Sequence, residues 1–518
     1  MELTRPASLA IPNLAGTAGR LADARFLVLL LIIAGAATRL SFGAMLGLGI
    51  DESYMVAAGR KLQLGYFDHP PVAWWLCWAA AKIAGSDAAI VVRLPFIGLF
   101  AVSTWLMFRL GSVLYNPEAG LWAAIGLNLS PVFSLTTGSW VLPDGPLDCA
   151  LLGAAFCLAR ALPASPGRAW RWWLGAGLCA GIALLSKYTA VLTCAGVILF
   201  LITQPEYRRW LGRPEPYVAA AIVALAAGYI LAWNASHDWA SLAFQAGRGT
   251  GHRFRPFAPF AVWAGEALFV LPWIWLPLVV LFLRGIRVNV AEPEMWFQVC
   301  LSAGPILLFA LISCWASRLA LFHWAAPGYL MLFPSLGAWI SRRPDRGFHS
   351  VKNGILATAC LLLLSATVVG TEVRWNWVPE KWERMIFHSD PDLEAVNWTS
   401  FPKELAVRSL LQKPRLVVAG TNWRDCGKLD YALGGRMQVI CLTNDPHQYG
   451  LSSPPAGADG LDVLVVVPFR KDGQLPSEIS DHFRNVAALP PVTILQAGQA
   501  VLQLGLFVGS DFRAQPYH

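Results

Sequence analysis

Charge is what this sequence has least of. Aspartate, glutamate, lysine and arginine make up 14% of its 518 residues, whereas soluble domains carry about 25%. With 56% hydrophobic residues and a mean hydropathy of +0.50, water is excluded as the main solvent. The ten cysteines contain no CxxC pair, and seven of them (Cys149, Cys157, Cys179, Cys194, Cys300, Cys314 and Cys360) fall in apolar stretches, so no cysteine metal site is implied. No small-residue cleavage site follows the first apolar run, which therefore reads as a retained helix. No internal repeat is visible, and that weighs against a transporter built from paired halves.

Apolar runs of about 18 residues or more, each long enough to cross a hydrocarbon core, recur from Phe26 to about Gly370 and then stop. The expected fold is a polytopic α-helical membrane region of about 11 spans at residues 1–370, followed by an α/β domain at 371–518. The spans start near Phe26, Ala88, Gly120, Leu147, Trp173, Thr189, Tyr217, Phe257, Trp296, Trp324 and Gly354. The net charge of +8 is spread over short segments between the runs, as in Arg168 with Arg171, Arg208 with Arg209, and Arg342 with Arg343. This is the positive-inside pattern of a membrane protein and not a nucleic-acid footprint. It predicts a cytoplasmic N-terminus and, after an odd number of spans, an outer C-terminal domain, which in a bacterial inner membrane is periplasmic.

The first outer loop, Asp51 to Asp87, carries two helical segments, Glu52–Leu64 and Val72–Ala84, each too short to cross and expected at the membrane interface. In the C-terminal region, β-rich runs at Arg415–Gly420 and Asp462–Pro468 flank a helical stretch at Trp423–Leu433. Cys426 and Cys441 both belong to this region, where an oxidising compartment permits a disulfide that sequence cannot assign.

Asp51 and Glu52 stand where the first span reaches the outer face. Charge at that depth asks for a reason. One reading is an acidic first turn that complements the helix dipole; the other is a general base for an acceptor hydroxyl. Further polar groups occupy other outer turns: Asp68 and His69, Asp144, Lys187, His237, Arg248 with Arg253 and Arg255, and Arg318 with His323. Each alone reads as a helix cap or a snorkelling side chain. Together, on one side of the membrane, they define a polar site above the bilayer.

The run Asp51-Glu52-Ser53-Tyr54, then Gly65-Tyr66-Phe67-Asp68-His69-Pro70-Pro71, Leu142-Pro143-Asp144-Gly145-Pro146, Leu185-Ser186-Lys187 and Phe322-His323-Trp324 resembles the GT-C glycosyltransferases, in the bacterial branch that includes protein O-mannosyltransferases and aminoarabinose (lipid A) transferases. The resemblance implies an inverting transfer of a sugar from a polyprenyl-phosphate donor to a cell-envelope acceptor: lipid A or lipopolysaccharide, another glycan, or a protein. It implies Asp51 as the base, with Glu52 beside it, and a phosphate and substrate site drawn from Tyr54, Arg60, Lys61, His69, Asp144, Lys187, Arg248, Arg318 and His323. Two positions depart from the family: Tyr54 stands near an expected arginine and His69 at an expected lysine, so the cations must be rebuilt, with Lys187 and Arg318 favoured. The resemblance also allows a divalent metal on Asp68 with His237 or His252, although turn formation before Pro70 explains Asp68 and His69 as well. The other classes to weigh are a lipid or glycan transporter, or flippase, without covalent chemistry, and a membrane scaffold.

Overall fold

The structure, a computed structural model, describes residues 14–251, 253–316, 322–343, 345–378, 396–468 and 475–514. The helical region is built from α1 (Leu14–Met45), α2 (Ile50–Gly59), α3 (Val72–Ala84), α4 (Ala89–Leu114), α5 (Pro117–Leu129), α6 (Asp144–Ala161), α7 (Pro166–Ser186), α8 (Ala190–Thr203), α9 (Pro214–Ala235), α10 (Ala240–Gly249), α11 (Ala258–Val270), α12 (Pro272–Val288), α13 (Pro293–Ser313), α14 (Ala326–Leu330), α15 (Phe333–Ser341) and α16 (Asp345–Trp375).

Six of these helices are long and apolar enough to cross a membrane, within α1, α4, α9, α12, α13 and α16; a seventh span arises if α8 and the 3₁₀ turn Pro205–Gly212, bent by 106°, count as one. The remaining apolar stretches form shorter or more polar helices. The stretch expected as one span from Phe257 is two helices: Leu271 adopts φ 78° between α11 and α12, and Pro272 supplies no backbone donor to bridge the break.

Where the helices cross, small residues bring backbones together, as is usual in membrane bundles. A Cβ on Gly177 of α7 would lie 2.8 Å from the Cα of Ala219 on α9, and one on Gly111 would lie 2.7 Å from the Cα of Gly120. The result is one apolar core joining α4 to α9 with α12, α13 and α15.

The C-terminal region holds α17 (Phe401–Val407), α18 (Trp423–Leu433), α19 (Gln448–Ser452) and a five-stranded sheet. Its strands are β1 (Leu416–Gly420), β2 (Val439–Cys441), β3 (Asp462–Pro468), β4 (Asn485–Gln496) and β5 (Gln499–Ser510), in the order β2-β1-β3-β5-β4. β1 lies parallel to β2 and β3, and β5 runs antiparallel to β3 and β4. The α/β character expected from the sequence is thereby met, with α18 and β3 at the expected residues. β1 reads as an unbroken apolar run because both its faces are covered: Val417 and Ala419 face one cluster with Ile440, Val463 and Val465, while Leu416 and Val418 face another. That second cluster continues into the first loop, through Leu48, Tyr54, Tyr66 and Trp74. α2 is consequently buried from Glu52 to Ala57, and its helix stops at Gly59 rather than at the expected Leu64. Cys426 and Cys441 are both buried, free cysteines in this core.

Candidate active site

The site begins at the turn between α1 and α2. Gly49 precedes α2, and Glu52 in its first turn reaches back to accept from the Gly49 amide at 2.9 Å, one half of a capping box. Its carboxylate also meets Arg93 of α4, at 2.8 Å from Nε and 2.5 Å from the terminal nitrogen, and accepts from the Val141 amide at 3.0 Å. Arg93 spends its other donors on the carbonyls of Gly43, Leu46 and Gly47. Glu52, 3% exposed, is therefore a fastener between α2, α4 and the approach to α6. Asp51, its neighbour, is exposed. Breaking a buried ion pair from one side costs about 3–5 kcal/mol; Glu52→Gln is expected to destabilise by that order in chemical or thermal unfolding, whereas Asp51→Asn should cost no more than about 1 kcal/mol.

Tyr54 lies on the opposite side of α2, fully buried. Its hydroxyl donates to the Asp68 carboxylate and accepts from the Gln448 amide at 2.9 Å. Asp68 also meets His447, with Nδ1 2.5 Å from its Oδ1, and the His447 ring stacks on Trp423 at 4.4 Å. Burial alone would raise the Asp68 carboxyl, but the His447 imidazole and the Tyr54 hydroxyl outweigh it and hold the group below its ordinary value. Arg60 is drawn away in the same manner: it donates to Asp87 and to the Asp430 and Tyr431 carbonyls of α18. Lys61 is exposed. Tyr54 and Arg60, considered above for the donor phosphate, thus serve contacts between the first loop and the outer domain.

Five of the expected residues do come together. Lys187, from the turn after α7, places Nζ 2.8 Å from Oδ1 of Asp144 at the start of α6, both side chains less than a tenth exposed. The fields of Lys187, Asp144 and Arg248 act on both His69 and His323, and Asp148, one turn further along α6, lies in the field of Asp144 and Lys187. The Arg248 guanidinium sits 4.6 Å from the ring centre of Trp324 and 5.6 Å from that of Phe244, a cation–π setting that holds its charge in place. Burial, then Lys187, lowers His69 to about 3; burial, then Lys187 and Arg248 against the opposing pull of Asp144, lowers His323 to about 4. Both rings are therefore neutral near pH 7, able to donate or accept a hydrogen bond but not to supply charge.

That neutrality has a measurable sign. An unfolded histidine takes its proton near pH 6.5, while the folded rings resist down to about 3 and 4. The unfolded chain thus binds more protons between these limits, so stability is full above about pH 6.5 and is lost as pH falls below it, by up to about 1.4 kcal/mol per ring per pH unit. Melting curves from pH 8 to pH 5 are expected to show this decline, flattened in a His69→Gln, His323→Gln double variant.

Of the two pairs considered for a metal, Asp68 with His237 is engaged elsewhere. Asp68 is engaged by Tyr54 and His447, and His237 stacks on Trp233 at 4.2 Å while its Nδ1 lies 2.8 Å from the Trp233 carbonyl oxygen. Among the described residues no three His, Cys, Asp or Glu side chains could hold one ion, short of the three or four ligands that zinc takes. His252 and Arg318 lie outside the described residues.

The helical bundle, its buried Lys187–Asp144 pair and its α/β outer region can now be compared with known proteins. Residues 68–233 match the family described as dolichyl-phosphate-mannose-protein mannosyltransferase. The lipid A galacturonosyltransferase RgtD of Rhizobium johnstonii is 25% identical over 303 residues, covering 51% of this chain and 60% of that relative; the match thus spans less than two thirds of the relative's length. The crystal structure of ArnT from Cupriavidus metallidurans in the apo state superposes with a TM-score of 0.64 at 12% identity, over 92% of this chain and 97% of that one. The form of that protein bound to undecaprenyl phosphate gives 0.64 at 13% identity, over 94% and 99%. These matches support the resemblance to the GT-C glycosyltransferases that the loops led us to expect, and the likeness to ArnT shows a shared fold.

Proposed function

We propose that this protein transfers a sugar from a polyprenyl-phosphate donor to a lipid A-type glycolipid or another envelope acceptor, on the periplasmic face of the inner membrane. The membrane region, residues 1–370, holds the donor, and the outer domain, residues 371–518, closes over the first loop. The observation that carries this reading is the buried Lys187–Asp144 pair with His69, His323 and Arg248 around it. Such a cluster suits a phosphate diester arriving at the membrane surface, because Lys187 and Arg248 can share its charge while the neutral histidines hydrogen-bond its oxygens.

Asp51 removes the proton from the acceptor hydroxyl. That oxygen attacks the anomeric carbon from the side opposite the phosphate, the C–O bond to the phosphate breaks, and the electron pair leaves with the phosphate oxygen beside Lys187 and Arg248. Configuration at the anomeric carbon inverts. Because the relative with partial coverage is a galacturonosyltransferase, a uronic acid is the donor sugar to try first; Arg248, Arg253 and Arg255 are the cations nearest in sequence to receive its carboxylate.

The test uses purified protein with a panel of polyprenyl-phosphate sugars, neutral and uronic, and membrane lipids from cells lacking the gene. The expected result is consumption of one donor with appearance of one glycosylated lipid. Movement of a lipid across vesicles with no donor consumed would instead make the protein a flippase. Periplasmic labelling of a cysteine placed after Ala514 checks the orientation; cytoplasmic labelling would overturn it.

A further inference from the structure

From sequence the segment Asn422 to Tyr431 reads as a packed amphipathic helix, or as one that holds an acceptor or covers the site, and the mechanism above leaves it unused. It is α18, and its best-hidden polar side chain is Lys428, 4% exposed. Lysines are almost never buried so completely unless something receives their charge. Here Nζ lies 2.6 Å from the carbonyl oxygen of Leu48 and 3.1 Å from that of Val396. Leu48 lies in the turn that leads into α2, three residues before Asp51. On its other side that turn is held by Arg93, through the carbonyls of Gly43, Leu46 and Gly47. Two cations from opposite directions therefore collect consecutive carbonyls of one short turn, Arg93 from the membrane region and Lys428 from the outer domain.

The approach that permits this is specific. Gly427 has no side chain where a Cβ would lie 2.7 Å from Cβ and 2.8 Å from Cα of Tyr54, so α18 rests on the backbone of α2 itself. The geometry points to Lys428 as a positioning residue of the active site: by fixing the Leu48 carbonyl from above, it sets the height and direction of Asp51. The outer domain thereby completes the catalytic turn and is more than a cover. This inference rests on the transferase reading and on Asp51 as its base.

The prediction separates positioning from binding. Donor contacts lie at Lys187 and Arg248, so a loosened turn should leave donor affinity alone and lower the chemical step; a displacement of about 1 Å is enough to cost on the order of 10²-fold. In full-length Lys428→Met, kcat is expected to fall about 10²-fold with donor KM within about twofold, and hydrogen exchange at residues 46–52 to quicken while that of β1 and β3 stays unchanged. An unaltered kcat, a loss carried by KM, or unaltered exchange at 46–52 would overturn the role. If the methionine variant does not fold, Lys428→Gln, which keeps an N–H donor group without the charge, decides by the same readouts with a smaller loss. Should the wild-type protein consume no polyprenyl-phosphate sugar, the transferase reading fails, while the exchange data still report whether Lys428 holds the turn.

Discussion

Replacing Asp51 by asparagine is expected to lower kcat by roughly 10²–10⁴-fold, the range a positioned general base contributes, with donor KM and melting temperature close to those of the native protein. The contrast with its neighbour is the informative part. Glu52 has every lone pair spoken for by Arg93, the Gly49 amide and the Val141 amide, so Glu52→Gln should reduce the amount of folded protein more than the rate of the protein that folds. A pH–rate profile sharpens the assignment: the acid limb in kcat/KM for the native protein should disappear in Asp51→Asn. Transfer by Asp51→Asn at the native rate would remove Asp51 from the mechanism.

The second large effect belongs to Lys187. Its partner Asp144 is buried beside it, and removing one member of such a pair leaves an uncompensated buried charge, worth about 3–5 kcal/mol of stability. Lys187→Met is therefore expected to melt earlier and to lose transfer entirely. Adding Asp144→Leu should restore much of the stability, since apolar replacement of both members of a buried pair is often neutral or better, yet restore none of the activity, because the cation for the leaving phosphate is still missing. Recovery of both together would mean that the pair is structural only. Recovery of neither would point to a wider role for Asp144 in organising the start of α6.

Much of this architecture was legible before any coordinates. Val72–Ala84, Trp423–Leu433 and Asp462–Pro468 match the expected segments because their ends carry local signals: Asn422 accepts from the Asp425 amide at 2.9 Å as an N-cap, and Gly434 at φ 63° and Gly85 at φ 64° close their helices. His69, Asp144, Lys187, Arg248 and His323 were legible as loop residues expected on one side of the membrane. What escaped is what depends on distant pairing. Tyr54 and Arg60 resembled phosphate ligands, but partners at Gln448 and Asp430, nearly four hundred residues away, claim them. His447 sits in a turn, at φ 50°, and Lys428 in an amphipathic helix, and the sequence around them does not name their partners. Arg93 did leave a signal: it is a cation near the start of the apolar run of α4, and charge in such a run implies a partner, which turned out to be Glu52.

The shared core between the first loop and the sheet has a consequence for heredity and for engineering. The helix α18 lies between the sheet and the first loop in one shared core, and the loop's Asp68 and Tyr54 complete their hydrogen bonding with His447 and Gln448 of the outer domain. The unit that can be exchanged between related enzymes is therefore not the C-terminal domain cut at the end of α16. It is that domain together with residues 46–96, two stretches far apart in the gene that must be inherited or transplanted as a pair.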